Sequence, residues 1–99
     1  MKGNGAEMTN SIICNDRCCY ECGNKTHLQR HHCLHGTANR RLAEEDGLWV
    51  YLCADCHRRL HDRDTRLDNK LMRLAERVYL RENNKTITDF IARYGKNYL

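Results

Sequence analysis

The chain has 99 residues with a formal net charge of +4, and 30% of its residues are charged, which predicts one small domain with a thin apolar core. Its seven cysteines are an odd number, which argues against a closed disulfide framework, and no apolar run approaches the roughly 18 residues of a membrane span. We therefore expect cysteine thiolates that bind metal in a reducing compartment, the cytoplasm, and a polyanionic partner for the basic charge.

The chain begins with a polar, glycine-containing stretch, and we expect residues 1–10 to be flexible. Beyond it, Cys19 and Cys22 have the Cys-x-x-Cys spacing of a zinc knuckle, and Gly23 supplies a residue that tolerates the positive φ of such a turn. A second pair with the same spacing follows after a gap of 30 residues. Two such pairs predict a structural zinc site with four thiolate ligands. The predicted ligands are Cys19, Cys22, Cys53 and Cys56.

Two further cysteines precede the first pair. Cys14 and Cys18 fit the knuckle spacing less well, so we interpret them as free thiols. A shift of register that recruits one of them is the alternative.

Residues 28–34 predict a strand that carries two adjacent histidines. Neighbouring residues of a strand point to opposite faces, so His31 and His32 separate: one can bind a metal ion while the other stands free beside it. Gln29 shares the face of His31, and Arg30 shares that of His32. The elements that follow are predicted as a loop over 36–41, a helix over 42–47 that ends at Gly47, and a strand over 48–52 that pairs with the first strand.

A helix beginning near residues 54–56 is expected to carry a second pair of histidines. His57 and His61 are four residues apart, which places both imidazoles on one helical face. Cys56 and His57 are adjacent and point about 100° apart on a helix, so one ion cannot use both comfortably. This stretch therefore predicts the junction of two sites, one of sulfur ligands and one of imidazole ligands.

The C-terminal third predicts two amphipathic helices after a break at residues 62–65. The first covers about 67–82, and a turn at 83–85 separates it from the second. Thr86 and Asp89 form a capping-box pattern, and Gly95 ends the second helix. We interpret the apolar stripes of both helices as core, with a dimer interface as the alternative. These stripes are Leu67, Leu71, Leu74, Ala75 and Val78 in the first helix, and Ile87, Phe90, Ile91 and Tyr94 in the second.

The knuckle, the His31-His32 pair and the Leu-Cys-x-x-Cys-His-x-x-x-His run from Leu52 to His61 together resemble the HNH endonucleases, the ββα-metal family. Stretches 10–13, 36–40 and 94–98 are also similar to small HNH-type proteins encoded by phages and prophages. The resemblance covers most of residues 10–99. It implies an α+β fold: a metal-stapled ββα-metal core with a zinc knuckle over 11–66, and a helical extension over 67–99 that packs on the core or forms a dimer interface.

The resemblance also implies roles for individual residues. His32 becomes the general base for hydrolysis of a DNA phosphodiester, beside a catalytic divalent ion (Mg²⁺, Mn²⁺, Ni²⁺ or Zn²⁺). The family's middle Asn usually stands near the position of Leu48, which is apolar here, and Asn39 is our candidate for its role of bracing the loop and orienting the base. The implied ligands of the catalytic ion are His31, His57 and His61.

The implied partner is DNA, whose phosphates Arg40, Arg41 and Arg58 are expected to hold. The resemblance places the protein in the cytoplasm of a bacterial host, as a nicking monomer or a homodimer that cuts both strands, with a phage packaging or replication protein as a candidate partner. Two other functions stay open on the sequence alone. One is a non-catalytic zinc-binding nucleic-acid adaptor, and the other is a phage regulator built on a degenerate HNH scaffold.

Overall fold

The structure, a computed structural model, describes residues 10–99 of the chain. These residues form an α+β fold of a two-stranded antiparallel sheet and four helices. The predicted flexible N-terminus falls on residues 1–9, outside the described residues, and on Asn10. The elements are β1 (Leu28–His32), α1 (Thr37–Asp46), β2 (Trp49–Cys53), α2 (Ala54–Asp62), α3 (Thr65–Asn83) and α4 (Ile87–Tyr94).

The pairing of β1 with β2 confirms the predicted strand pair. Leu28 stands opposite Cys53 and His32 stands opposite Trp49. β2 is apolar and almost wholly buried, as expected for a strand covered on both faces. Because α2 begins directly after Cys53, the strand delivers the chain into the helix with no intervening loop.

Helix α1 is longer than the sequence predicted, and the prediction of a loop over 36–41 is wrong. The helix begins at Thr37, directly after Gly36, which has φ 98° and provides no side-chain cap. The usual sequence mark of a helix start, a Ser, Thr, Asp or Asn that caps the first turn, is therefore absent at this end. The predicted end is confirmed, since Gly47 has the left-handed φ of 72°.

The described segment before β1, residues 10–27, lies along the outer edge of β2 and is held there by backbone hydrogen bonds. Ile12 donates its N–H to the carbonyl of Gly47 at 2.9 Å, and Tyr20 donates its N–H to the carbonyl of Tyr51 at 2.8 Å. The second of these bonds places the neighbouring Cys19 beside the end of β2.

The C-terminal helices share one apolar cluster with the sheet and α2. Leu67, Leu71 and Ala75 of α3 and Phe90 and Tyr94 of α4 are buried in it together with β2 and α2 residues. None of the described helices is both long and apolar enough to span a membrane.

The capping box of α4 is confirmed: Thr86 accepts from the N–H of Asp89, and Asp89 accepts from the N–H of Thr86. The single apolar face predicted for this helix is divided. Phe90 is buried, whereas Ile87 and Ile91 are 42% and 40% exposed, because α4 meets the core along one edge of its stripe only.

Replacing Gly47 by Ala tests how tightly the N-terminal segment packs on the α1–β2 turn. A Cβ at this position would lie 2.5 Å from the carbonyl oxygen of Asn10, in addition to the strain of the positive φ. We expect Gly47→Ala to lower the free energy of unfolding by about 2–4 kcal/mol in chemical denaturation of the zinc-loaded protein. Gly95→Ala is the matched control: its φ is 89° and nothing lies within 4 Å of the added Cβ, so strain alone should cost about 1 kcal/mol. Equal losses in the two variants would contradict the predicted clash.

Candidate metal centres

The four cysteines of the two predicted pairs converge at the corner where β2 passes into α2. Their sulfur atoms all lie within 4.8 Å of one another. Cys53 ends β2, Cys56 lies in the first turn of α2, and the turn that holds Cys19 and Cys22 is brought to them by the bond from Tyr20 to β2. The predicted set of four thiols is therefore assembled in one place and could hold a structural metal ion such as zinc.

The spacing of the sulfur atoms fits tetrahedral zinc. Cys22 Sγ and Cys53 Sγ are 3.7 Å apart, and two thiolates at Zn–S distances of about 2.3 Å in a tetrahedron are separated by about 3.8 Å. Gly23 has φ 82°, the left-handed conformation predicted for the knuckle turn. Cys14 and Cys18 are half-buried and do not belong to the cluster.

The thiols of the cluster differ in how readily they ionise. Burial opposes ionisation of Cys19, but backbone hydrogen bonds, the largest with Cys53, outweigh it and lower the pKa of Cys19 from 9.0 to about 7. Burial raises the pKa of Cys56, and the neighbouring sulfurs add to that rise. Four thiols this close cannot all ionise without a cation among them, so loss of their protons is coupled to metal binding.

Three histidines, one from β1 and two from α2, form a second cluster beside the first. The ring nitrogens of His31, His57 and His61 lie within 4.8 Å of one another. His57 Nε2 and His61 Nε2 are 3.2 Å apart, close to the roughly 3.4 Å that two imidazole ligands of a tetrahedral zinc ion require. The structure thus brings the i, i+4 pair of α2 together with a histidine of β1.

His31 carries the buried polar atom that a metal ion would satisfy. The residue is buried, and its Nε2 has no hydrogen-bond partner among the described residues. Burial, followed by the charges of His57, His35 and His61, lowers the pKa of His31 from 6.5 to about 3. The ring is therefore neutral throughout the physiological pH range, which is the state in which imidazole binds metal.

Gln29 orients one of the three rings from the same face of β1. His57 Nδ1 lies 2.5 Å from Gln29 Oε1, and a carbonyl oxygen accepts, so Nδ1 donates and Nε2 keeps its lone pair for an ion. Metal-binding histidines commonly have an outer partner of this kind. The donor set thus fits a divalent ion with three imidazole ligands and open coordination positions.

The histidine cluster opens into a cavity of about 180 Å³. His32, Arg30 and Arg40 line it together with the three clustered histidines, so the predicted base and one predicted phosphate-binding arginine reach the same space. His32 lies on the opposite face of β1 from His31, as its position in the strand predicted.

His35 is a cavity residue that was not predicted from the sequence. Its ring centroid is 6.0 Å from that of His31, and its Nε2 lies 2.6 Å from Asp68 Oδ1 on α3. Its closeness in the sequence to His31 and His32 was the one feature that could have indicated it. Asp68 carried no sign, because only the packing of α3 brings it to His35.

The remaining predicted site residues do not line the cavity. Asn39 lies in α1 and donates its side-chain N–H to the carbonyl of Tyr94 at 3.2 Å, which ties α1 to the end of α4. Arg41 pairs with Glu45 along α1. Arg58 pairs with Asp55 along α2 and is exposed. The structure thus brings Arg40 to the histidines and leaves these three side chains in contacts elsewhere.

No protein-family model, curated protein or solved structure matches the chain. The resemblance to the HNH family therefore stays a prediction from motifs.

Removal of one cluster thiol should release zinc and unfold the chain. Cys53→Ala leaves three ligands at the corner that joins β2, α2 and the knuckle, so we expect less than one zinc per chain by elemental analysis and loss of the cooperative thermal transition. Cys14→Ser is the control, because Cys14 lies outside the cluster and the variant should keep its zinc and its melting temperature. Full zinc content in Cys53→Ala would mean that the metal is held elsewhere.

Substitutions in and beside the histidine cluster should weaken metal binding to different degrees. The measurement is calorimetric titration of Co²⁺ into protein whose four cysteines already hold zinc. Gln29→Ala removes only the partner of His57 and should weaken binding about 10- to 100-fold. His61→Ala removes a ligand and should weaken it further than that.

His27→Asn is the control for that titration, since His27 is exposed and has φ 54°, which Asn tolerates. It should bind Co²⁺ as the unaltered protein does. If His61→Ala also binds Co²⁺ with unchanged affinity, the cluster is not the binding site.

Proposed function

We propose that the protein is a metal-dependent endonuclease of the HNH type that hydrolyses DNA phosphodiester bonds. The observation that carries the proposal is the shared cavity: three converging imidazoles, a fourth imidazole at His32 and the cation of Arg40 border one small space. The proposal extends the α+β fold to a ββα-metal core, in which β1 and α2 supply the ligands of the ion, β2 leads into α2, and α1 forms the connection between the strands.

The residues of the cavity suit the chemistry of phosphodiester hydrolysis. His32 accepts a proton from the attacking water, because neutral imidazole is an effective base near pH 7. Arg40 binds a phosphate oxygen by charge-assisted hydrogen bonds and holds the diester in line. A divalent ion on His31, His57 and His61 would supply Lewis-acid stabilisation of the charge that builds on the phosphoryl and leaving oxygens. The products carry 5′-phosphate and 3′-hydroxyl ends, as the resemblance implies.

The two clusters differ in the way that structural and catalytic sites differ. Four thiolates complete a tetrahedron and leave no position for a substrate, whereas three imidazoles leave open positions. Neutral nitrogen ligands favour Zn²⁺, Ni²⁺ or Mn²⁺ over Mg²⁺, which prefers oxygen. One catalytic site per chain makes the proposed monomer a nicking enzyme, and cutting of both strands requires a second copy.

Cleavage of supercoiled plasmid tests the proposal. Protein with zinc on its cysteines and no ion on its histidines is given Mg²⁺, Mn²⁺, Ni²⁺ or Zn²⁺ in turn. We expect open-circle product with at least one ion, and we expect His32→Ala to cleave about 100- to 10,000-fold more slowly while keeping its fold and zinc.

His27→Asn serves again as the control and should cleave normally. Linear product at the first cut would indicate a dimer. If no ion supports cleavage but the zinc-loaded protein still retards DNA in a gel, the nuclease proposal fails in favour of a zinc-binding nucleic-acid adaptor.

A further inference from the structure

Glu44 places a carboxylate against His32, on the side away from the histidine cluster. It lies in the third turn of α1, and its side chain is 25% exposed. Glu44 Oε1 is 2.7 Å from His32 Nε2, and Glu44 Oε2 is 2.6 Å from Arg30 Nη1. One carboxylate thus joins two side chains of β1 that both line the histidine cavity.

Arg30 holds this carboxylate in place through the contact at 2.6 Å. Its guanidinium packs over the ring of Trp49 with 3.7 Å between the guanidinium carbon and the ring centroid. Trp49 stands opposite His32 in the sheet register. The indole of Trp49, the guanidinium of Arg30 and the carboxylate of Glu44 therefore form a series of contacts that ends at His32. The carboxylate of Glu44 is therefore fixed by Arg30 on one oxygen and meets His32 with the other.

The pair sets which nitrogen of His32 carries its proton. An ionised carboxylate only accepts, so Nε2 of His32 donates to Glu44, and in the neutral ring Nδ1 keeps the lone pair. A base oriented by a third group in this way is the recurring arrangement of activated imidazole in enzymes.

We propose that Glu44 is a positioning residue that holds His32 in the tautomer and orientation required of the base. This inference rests on the proposed function, because it gives His32 a partner in the same reaction. The neighbouring acid on α1, Glu45, is 51% exposed and pairs with Arg41 and Arg93 away from the cavity, so the role belongs to Glu44 alone of the two.

The proton and electron balance of the step shows where Glu44 acts. The water oxygen bonds to phosphorus as its proton passes to Nδ1 of His32, and the P–O3′ bond breaks with its electron pair on O3′, which takes a proton from solvent. Glu44 exchanges no proton. Its bond to Nε2–H becomes a bond to an imidazolium in the transition state, which is stronger than the bond to neutral imidazole in the ground state. An interaction of that kind raises kcat and leaves KM unchanged.

The test compares Glu44→Ala, Glu44→Gln and Glu45→Gln in the full zinc-loaded chain, with the ion that supports cleavage. We expect Glu44→Ala to lower kcat about 100-fold with KM unchanged. Glu44→Gln keeps an acceptor oxygen for Nε2–H but loses the charge, so its kcat should fall by less. Glu45→Gln should cleave as the unaltered protein does.

A second measurement does not depend on cleavage. Long-range ¹H–¹⁵N spectra of the imidazole rings report the tautomer of His32 and the exchange of its Nε2 proton with solvent. We expect an exchange-protected Nε2 proton in the unaltered protein and in Glu45→Gln, and loss of that protection in Glu44→Ala.

Each outcome separates this inference from the proposed function. If the unaltered protein cleaves and Glu44→Ala cleaves at the same kcat, the positioning role is wrong. If an Asp68→Asn variant loses activity while Glu44→Ala keeps it, the positioning role belongs to Asp68, which pairs with His35, and not to Glu44. If no variant cleaves with any ion, the nuclease proposal fails, and the ring spectra alone decide whether Glu44 holds His32: an unprotected or absent Nε2 proton overturns the inference.

Discussion

The structure depends on the four thiols at the corner between β2 and α2. A chain this short buries little apolar surface, and residues 10–27, the described part of the chain before β1, contain neither strand nor helix. The sulfur cluster brings that segment to the end of β2 and to the first turn of α2, and a structural metal ion such as zinc would join the three. A metal ion on these thiols would fix the direction in which α2 leaves the sheet. His57 and His61 lie on the same helix, so the geometry of the histidine cluster follows from that of the cysteines.

The alternation of side chains in β1 organises the rest of the site. Gln29 and His31 face α2, where they meet the paired histidines of that helix. Arg30 and His32 face α1, where Glu44 meets them. Because the cavity lies at the end of the strand, both faces reach it. A metal-binding residue and its neighbour can then have different partners and still act on one substrate, which is the physical basis of the nuclease we propose.

Much of the architecture could be predicted because short-range backbone geometry determines it. The capping box at Thr86, the left-handed ends at Gly47 and Gly95, and the pairing of two apolar strands all follow from local residue preferences. The start of α1 could not be predicted in this way. Gly36 offers no side-chain cap, and packing on the sheet and on α4, including the bond from Asn39 to Tyr94, stabilises the first turns instead.

By itself, the sequence determined the residues whose relation is set within one turn or one strand: the Cys-x-x-Cys pairs, the i, i+4 histidines and the opposite faces of His31 and His32. Only the tertiary structure decided which distant residues join them. Glu44 bonds an imidazole 12 residues away in the sequence, and Asp68 bonds one 33 residues away. No local sequence pattern marks such partners. Likewise, Arg40 reaches the cavity while Arg58 pairs along its own helix. Such choices depend on how whole elements pack, because a contact between elements is determined by every side chain at their interface and not by the spacing of any two.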